Sequence, residues 1–184
     1  MNNSKKLLLH ICCAPCLIYP YKKLKEIFPD FTGYFYNPNI YPDNEHEKRL
    51  QAVKNYSDAY SLSVIYDNDN NLSLFSKDNL SFEFQDELRC EHCYSIRLIH
   101  TANFAFNNNF THFTTTLLFS IYQKHELIKK IAIEQAKKYG LIFLYEDFRS
   151  GWKEANEFSR KIGMYRQKYC GCISSLHGVL SKVK

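Results

Sequence analysis

The chain reads as an α/β protein: a mostly parallel sheet of about five strands with flanking helices, Rossmann-like in its alternation. Three observations predict this. Short apolar or β-branched runs alternate with longer stretches of helical period along the whole chain. Several helical stretches carry their own start or stop signals. No internal repeat, linker or low-complexity segment divides the 184 residues, a length that suits one domain spanning 1–184.

The elements follow in order. Leu7 to Ile11 is a short apolar run, read as a buried strand that ends at a cysteine-rich loop. A helix is expected from Pro20 to Phe28, with proline at a tolerated early position. Phe31 to Tyr36 is an aromatic strand closed by Asn37-Pro38-Asn39. Asn44 and Glu47 have capping-box spacing, and the helix behind them turns Leu50, Val53, Tyr56 and Tyr60 inward. Ser63 to Tyr66 is a third strand, and the polar run Asp67-Asn68-Asp69-Asn70-Asn71 a loop. A long helix covers Asp86 to Phe106 and a fourth strand Phe110 to Leu117. Lys124 to Tyr139 is a helix closed by Gly140, Ile142 to Tyr145 the fifth strand, and Trp152 to Ile162 a helix stopped by Gly163. From Met164 onward the chain is irregular or briefly helical.

Composition narrows the class. No run of about 18 apolar residues is present, so no membrane span is expected. The basic start Met1 to Lys6 precedes only a short apolar stretch and no small-residue cleavage site, so a cytoplasmic protein is expected rather than a secreted one. The net charge of +5 is unevenly spread: residues 1–120 carry 11 Lys and Arg against 13 Asp and Glu, and residues 121–184 carry 13 against 6. A solvated helix surface accounts for that, and so does attraction of a polyanion.

The seven cysteines stand in three tight groups: Cys12, Cys13 and Cys16; Cys90 and Cys93; Cys170 and Cys172. Bringing three distant groups together is entropically unfavourable, so a strong binder at their meeting point is expected. A reducing compartment and an odd count argue against disulfides and for thiolate ligation of metal. Cys90 and Cys93, at i and i+3, share one helix face. Cys170 and Cys172, at i and i+2, point to one side of an extended chain, with Gly171 between them allowing close approach. Adjacent Cys12 and Cys13 side chains are expected to diverge, toward two neighbouring centres. Seven sulfurs exceed the four that a tetrahedral zinc or a four-iron cluster needs.

Other residues stand near expected strand ends, where open parallel sheets build their sites. Asn37, Asn39, Thr115 in the row Thr114-Thr115-Thr116, and Glu146-Asp147 are of this kind. His46, His92, His100 and His125 read as surface or core residues. Tyr165-Arg166-Gln167-Lys168-Tyr169 combines cations, an amide and aromatics, a mixture suited to RNA bases and phosphates.

Taken together, His10-Ile11-Cys12-Cys13-Ala14-Pro15-Cys16, Tyr34-Phe35-Tyr36-Asn37-Pro38-Asn39-Ile40, Arg89-Cys90-Glu91-His92-Cys93-Tyr94 with Arg97-Leu98, Phe113 to Leu118, Glu146-Asp147-Phe148-Arg149 and Tyr165 to Cys172 resemble the QueH type of epoxyqueuosine reductase. The resemblance runs from about Leu7 to Ser174, with departures at Phe119 to Tyr122 and at Ser150-Gly151-Trp152. It implies the last step of queuosine biosynthesis: reductive deoxygenation of epoxyqueuosine to queuosine at the wobble position of tRNA. It also implies a catalytic domain that works without cobalamin, through a [4Fe–4S] cluster and an adjacent metal ion, expected to be iron. The partners would be a tRNA with a queuosine-type anticodon and an electron donor such as ferredoxin or flavodoxin.

On that footing, Cys90, Cys93 and one member each of Cys12/Cys13 and Cys170/Cys172 are expected to hold the cluster, and the others, with Cys16, the second metal. Asp147, Tyr36 and Tyr169 are the candidate proton donors. Arg149, Arg166 and Lys168 are candidate phosphate partners, with Gln167, Asn37, Asn39 and Thr115 as further RNA contacts. One alternative is a zinc-binding structural or RNA-binding module without redox activity. Another is an RNA-thiolating enzyme of the ATP-pyrophosphatase kind, whose fold is a plausible relative; its Gly-rich phosphate loop has no counterpart here, since Cys12 to Cys16 occupy that place.

Overall fold

A computed structural model describes residues 5–67 and 86–181. Its centre is β1 (Leu7–His10), whose four residues are all buried. Taking Leu7, Leu8 and Leu9 out of water stabilises the fold by about 1.5–3 kcal/mol each. The chain turns from β1 into α1 (Ala14–Ile27), then β2 (Thr32–Phe35), α2 (Asp43–Ala59) and β3 (Val64–Tyr66). It returns through α3 (Asp86–Asn107) to β4 (His112–Thr115), a 3-10 turn (Thr116–Phe119), α4 (His125–Tyr139) and β5 (Ile142–Phe143). A second 3-10 turn (Phe148–Gly151), α5 (Trp152–Lys161) and α6 (Ile173–Leu180) complete it.

The five strands form one sheet in the order β3-β2-β1-β4-β5, every pair parallel. Because β2 and β3 lie on one side of β1 and β4 and β5 on the other, the order reverses between β1 and β4. A doubly wound sheet opens a crevice at the carboxyl ends of its strands there. His10 pairs with Thr115 at that end, and Cys12 and Thr116 follow the two strands directly. The α/β class and parallel sheet expected from the sequence are observed.

Boundaries differ for local reasons. α1 begins at Ala14, six residues before Pro20, because Cys13 is its extended N-cap residue and Pro15 occupies the first turn, where a missing N–H is harmless. Asn44 and Glu47 make no capping box: α2 starts two residues earlier, with Pro42 at its N-cap. β4 ends at Thr115, where the chain tightens into the 3-10 turn as the Leu117 N–H donates to Thr115 Oγ1. Gly140 closes α4 in the left-handed conformation, as expected. The run Asn68 to Asn71 lies outside the described residues. No helix among the described residues is long and apolar enough to cross a membrane.

Candidate metal centre

Cys12 and Cys13 occupy the turn from β1 into α1. Cys13 is the N-cap residue, extended at φ −172° and ψ 162°, and Cys16 lies on the first helical turn. An N-cap side chain faces the third helical position, which is why residues 13 and 16 meet. The bend between strand and helix also turns Cys12 inward, so the divergence expected of neighbouring side chains does not occur. The sulfurs of Cys12, Cys13 and Cys16 all lie within 4.8 Å of one another, with Cys12 and Cys13 at 3.7 Å.

The other groups flank this triad. Cys90 and Cys93 share α3, as their spacing requires. Cys170 and Cys172 approach to 3.6 Å on the strap between α5 and α6. Burial raises the Cys93 thiol, and the Cys172 sulfur adds to that rise. All seven cysteines are free: Cys13 and Cys16 are buried, Cys170 exposed and the rest intermediate.

Protein groups stabilise negative charge on two of these sulfurs, Cys12 and Cys172. Hydrogen bonds from Cys13, Cys16 and Thr116 hold Cys12 well below the ordinary thiol range, and the Thr116 hydroxyl reaches its sulfur at 3.2 Å. Thr116 Oγ1 also accepts the Cys12 N–H at 2.9 Å, spanning the crevice between the two strand ends. Burial pushes Cys13 up, and sharing hydrogen bonds with Cys12 and Cys13 raises Cys16. In the strap pair the mutual hydrogen bond lowers Cys172, to about 5, and raises Cys170. Ser175 Oγ stands 3.0 Å from Cys170 Sγ and 3.4 Å from Cys172 Sγ.

Two arginines organise the surroundings. Arg49 of α2 pairs with Glu45 at 2.8 Å and donates to the carbonyls of Cys170 and Tyr169, both at 3.0 Å. Glu45 also accepts from the Tyr165 hydroxyl, so one carboxylate and one guanidinium pin both ends of the strap. Gly171 is needed there: its φ is +122°, and a Cβ would stand 3.1 Å from Arg49 Nη1 and 3.2 Å from Ile40 Cγ1. Arg97, one turn beyond Cys93 on α3, donates to the Cys93 sulfur and carbonyl, each at 3.1 Å.

His10 ties the strand ends together. Nε2–H donates to the Tyr36 carbonyl at 3.1 Å, which leaves Nδ1 to accept from the Thr115 hydroxyl at 2.8 Å. Burial, with Arg97 nearby, holds His10 down to about 4, so its ring is neutral.

The residues expected to contact RNA divide sharply. Thr115 is 0% exposed and serves His10, which leaves its hydroxyl no outward face. Gln167 turns inward, its amide nitrogen 2.7 Å from Cys13 Sγ and 3.9 Å from Cys16 Sγ. Asn37 is buried with its amide on the Ile11 carbonyl at 2.8 Å, and Asn39 is buried beside Gly171. Arg166 reaches Asn156 at 2.6 Å, and Lys168 is exposed. Arg149 is engaged by Asp147 through bonds of 2.6 and 2.8 Å.

Those bonds also decide Asp147. They hold its carboxyl down to about 2, and it accepts the Arg149 N–H as an N-cap, so it carries no proton to donate near neutrality. The Tyr169 hydroxyl donates to the Tyr41 carbonyl. Tyr36 is buried, its ring stacked on His100 at 3.8 Å. His125 stands 3.9 Å from Asp147 and His46 packs edge-on to Phe35.

Sequence reasoning assigned no role to Arg49, Arg97, Glu45, His10 or Thr116. For Arg97 a signal existed, its i+4 spacing from Cys93 on one helix face. The bonds of Arg49 join residues 120 and 121 positions apart, and nothing local announces them.

Known proteins resemble this chain over nearly its whole length. The family profile described as "Epoxyqueuosine reductase QueH" matches residues 7–178. A protein of that name from Dehalococcoides mccartyi is 35% identical over 172 residues, covering 94% of this chain and 93% of its own. One from Thermotoga maritima is 35% identical over 176 residues, covering 92% and 90%. One from Acinetobacter baylyi is 32% identical over 182 residues, covering 95% and 82%.

Proposed function

The chain belongs to the epoxyqueuosine reductase QueH family, and from that premise we propose that it is an oxidoreductase that converts epoxyqueuosine to queuosine at the wobble position of tRNA, the last step of queuosine biosynthesis. The observation in this molecule that carries the reading is the triad of Cys12, Cys13 and Cys16 at the switch point of the sheet, its sulfurs all within 4.8 Å of one another. We take 1–184 as one catalytic metal-binding domain acting in the cytoplasm, where seven unpaired cysteines stay reduced.

The donor set suits iron. Seven sulfurs and no carboxylate within the triad make a soft site, as iron–sulfur clusters and zinc prefer. On one tetrahedral ion with bonds of about 2.3 Å the sulfurs stand about 3.8 Å apart, and Cys12 and Cys13 stand 3.7 Å apart. The triad therefore suits one thiophilic ion, which we take as iron, and Cys90, Cys93, Cys170 and Cys172 would supply four ligands for a [4Fe–4S] cluster. This division replaces the one expected from diverging side chains. Bound there, a cluster would supply electrons singly and a lone ion would polarise the epoxide oxygen.

The protein's own groups bind and orient. Neutral His10 fixes the loop that carries Cys12; Gln167 and Thr116 aim the sulfurs; Arg49 and Gly171 seat the strap. Exposed Lys168 and half-buried Arg166, on that same strap, suit the anticodon phosphates. A carrier such as ferredoxin or flavodoxin delivers the electrons. The test is anaerobic incubation of purified protein with epoxyqueuosine-containing tRNA and dithionite, followed by nucleoside mass analysis. Loss of one oxygen from the modified base is the expected result. A colourless zinc protein that leaves the tRNA unchanged rejects the reading in favour of a zinc-binding module.

A further inference from the structure

Arg97 is 4% exposed, and its guanidinium stays charged at any physiological pH. A buried charge persists only when it is paired. The other buried arginine at this site, Arg49, has Glu45 at 2.8 Å. Arg97 has no carboxylate among the described residues: its contacts are the Cys93 sulfur, the Cys93 carbonyl and the Tyr94 ring at 5.7 Å. The ionisable groups that act on it are Cys93, Cys12, Tyr94 and Cys170, and it acts in turn on Cys172. One member of every cysteine group is thus within electrostatic reach of a single fixed cation.

We propose that Arg97 is a positioning residue that serves as the built-in counter-ion of the metal–thiolate centres and raises the reduction potential of the one that Cys93 helps to hold. The inference rests on the reading of these cysteines as ligands of a redox metal. Adding an electron makes a thiolate-bound centre more negative. In a water-poor site a nearby positive charge favours that reduced form. The Nη2–H bond to Cys93 Sγ acts in the same direction, since it draws electron density from a ligand. A lysine keeps the charge without the planar fork, and a methionine of similar reach keeps neither.

The experiment is an anaerobic redox titration of the metal-loaded protein, followed by visible absorbance and electron paramagnetic resonance, for wild type, Arg97→Lys and Arg97→Met. Iron and acid-labile sulfide are measured on each sample. The expected order of midpoint potential is wild type highest, Arg97→Lys lower and Arg97→Met lowest. Wild-type potentials in both variants overturn the proposal, as does a wild-type potential in Arg97→Lys if Arg97→Met holds no iron. A wild-type protein with no reversible reduction overturns this proposal and the functional reading together. A wild type that reduces reversibly, with variants at its potential, overturns this proposal alone.

Discussion

The cysteines of the first helix and those of the strap are positioned in different ways. Cys12, Cys13 and Cys16 are held by the fold's interior: β1 is fully buried, α1 starts on Cys13, and Thr116 ties the loop to β4 across the sheet's switch point. Cys170 and Cys172 sit on a strap that belongs to no strand and is held by a few polar side chains, chiefly Arg49, Glu45 and Gln167. The first group is preorganised by packing and the second by charge. A strap seated by charge can be disturbed without unfolding the sheet, whereas the triad cannot move without β1 and α1.

Substitutions separate the two kinds of support. The largest effect is expected from Cys16→Ser, which removes one ligand of the triad. Turnover should fall by more than the roughly 10–100-fold typical of losing an outer-shell partner, while the brown cluster absorbance survives; loss of that absorbance contradicts the division of ligands given above. Arg49→Met comes next. It leaves Glu45 buried without its partner, and denaturant unfolding should show a loss of about 3–5 kcal/mol. Amide exchange over 165–172 should rise more than over β1. A uniform rise would mean that the strap is no separate unit.

Gly171→Ala is a finer probe. The left-handed backbone and the close Arg49 and Ile40 contacts predict a loss of about 1–3 kcal/mol, felt by the strap, with metal retained at the triad. Iron analysis after gel filtration checks this. The smallest effect is expected from Asp147→Asn. Its carboxyl is lowered to about 2 by Arg149, so whatever stability it contributes is fully present above the ordinary value of 3.8 and is lost as pH falls through about 2. Near neutrality the exposed pair with Arg149 is worth about 0–1 kcal/mol, and turnover should be unchanged. A large fall in turnover would return Asp147 to the chemistry.

The same contrast governs how much was legible beforehand. The apolar run at Leu7 to Leu9, the helical spacing of Cys90 and Cys93 and the Gly140 stop are local patterns, and the structure follows them. The convergence of Cys12 with Cys13 depends on a strand turning into a helix between them, which spacing rules for a continuous element do not describe. Gln167 has the composition of an RNA contact, yet its amide is used on Cys13, 154 positions away. Thr115 read as a substrate-facing hydroxyl because it ends a strand. Its side chain points to the neighbouring strand's His10 instead. Pairings across the sheet are set by topology, and topology is what a one-dimensional pattern conveys least.

If the three cysteine groups form one site holding two metal centres, the protein carries two kinds of iron. Mössbauer spectroscopy of anaerobically reconstituted protein labelled with iron-57, with iron and acid-labile sulfide counted on the same sample, tests it most directly. The expected spectrum shows a [4Fe–4S] component and a separate mononuclear iron, with more iron than sulfide. A single cluster component with equal iron and sulfide, or bound zinc with no sulfide, contradicts it.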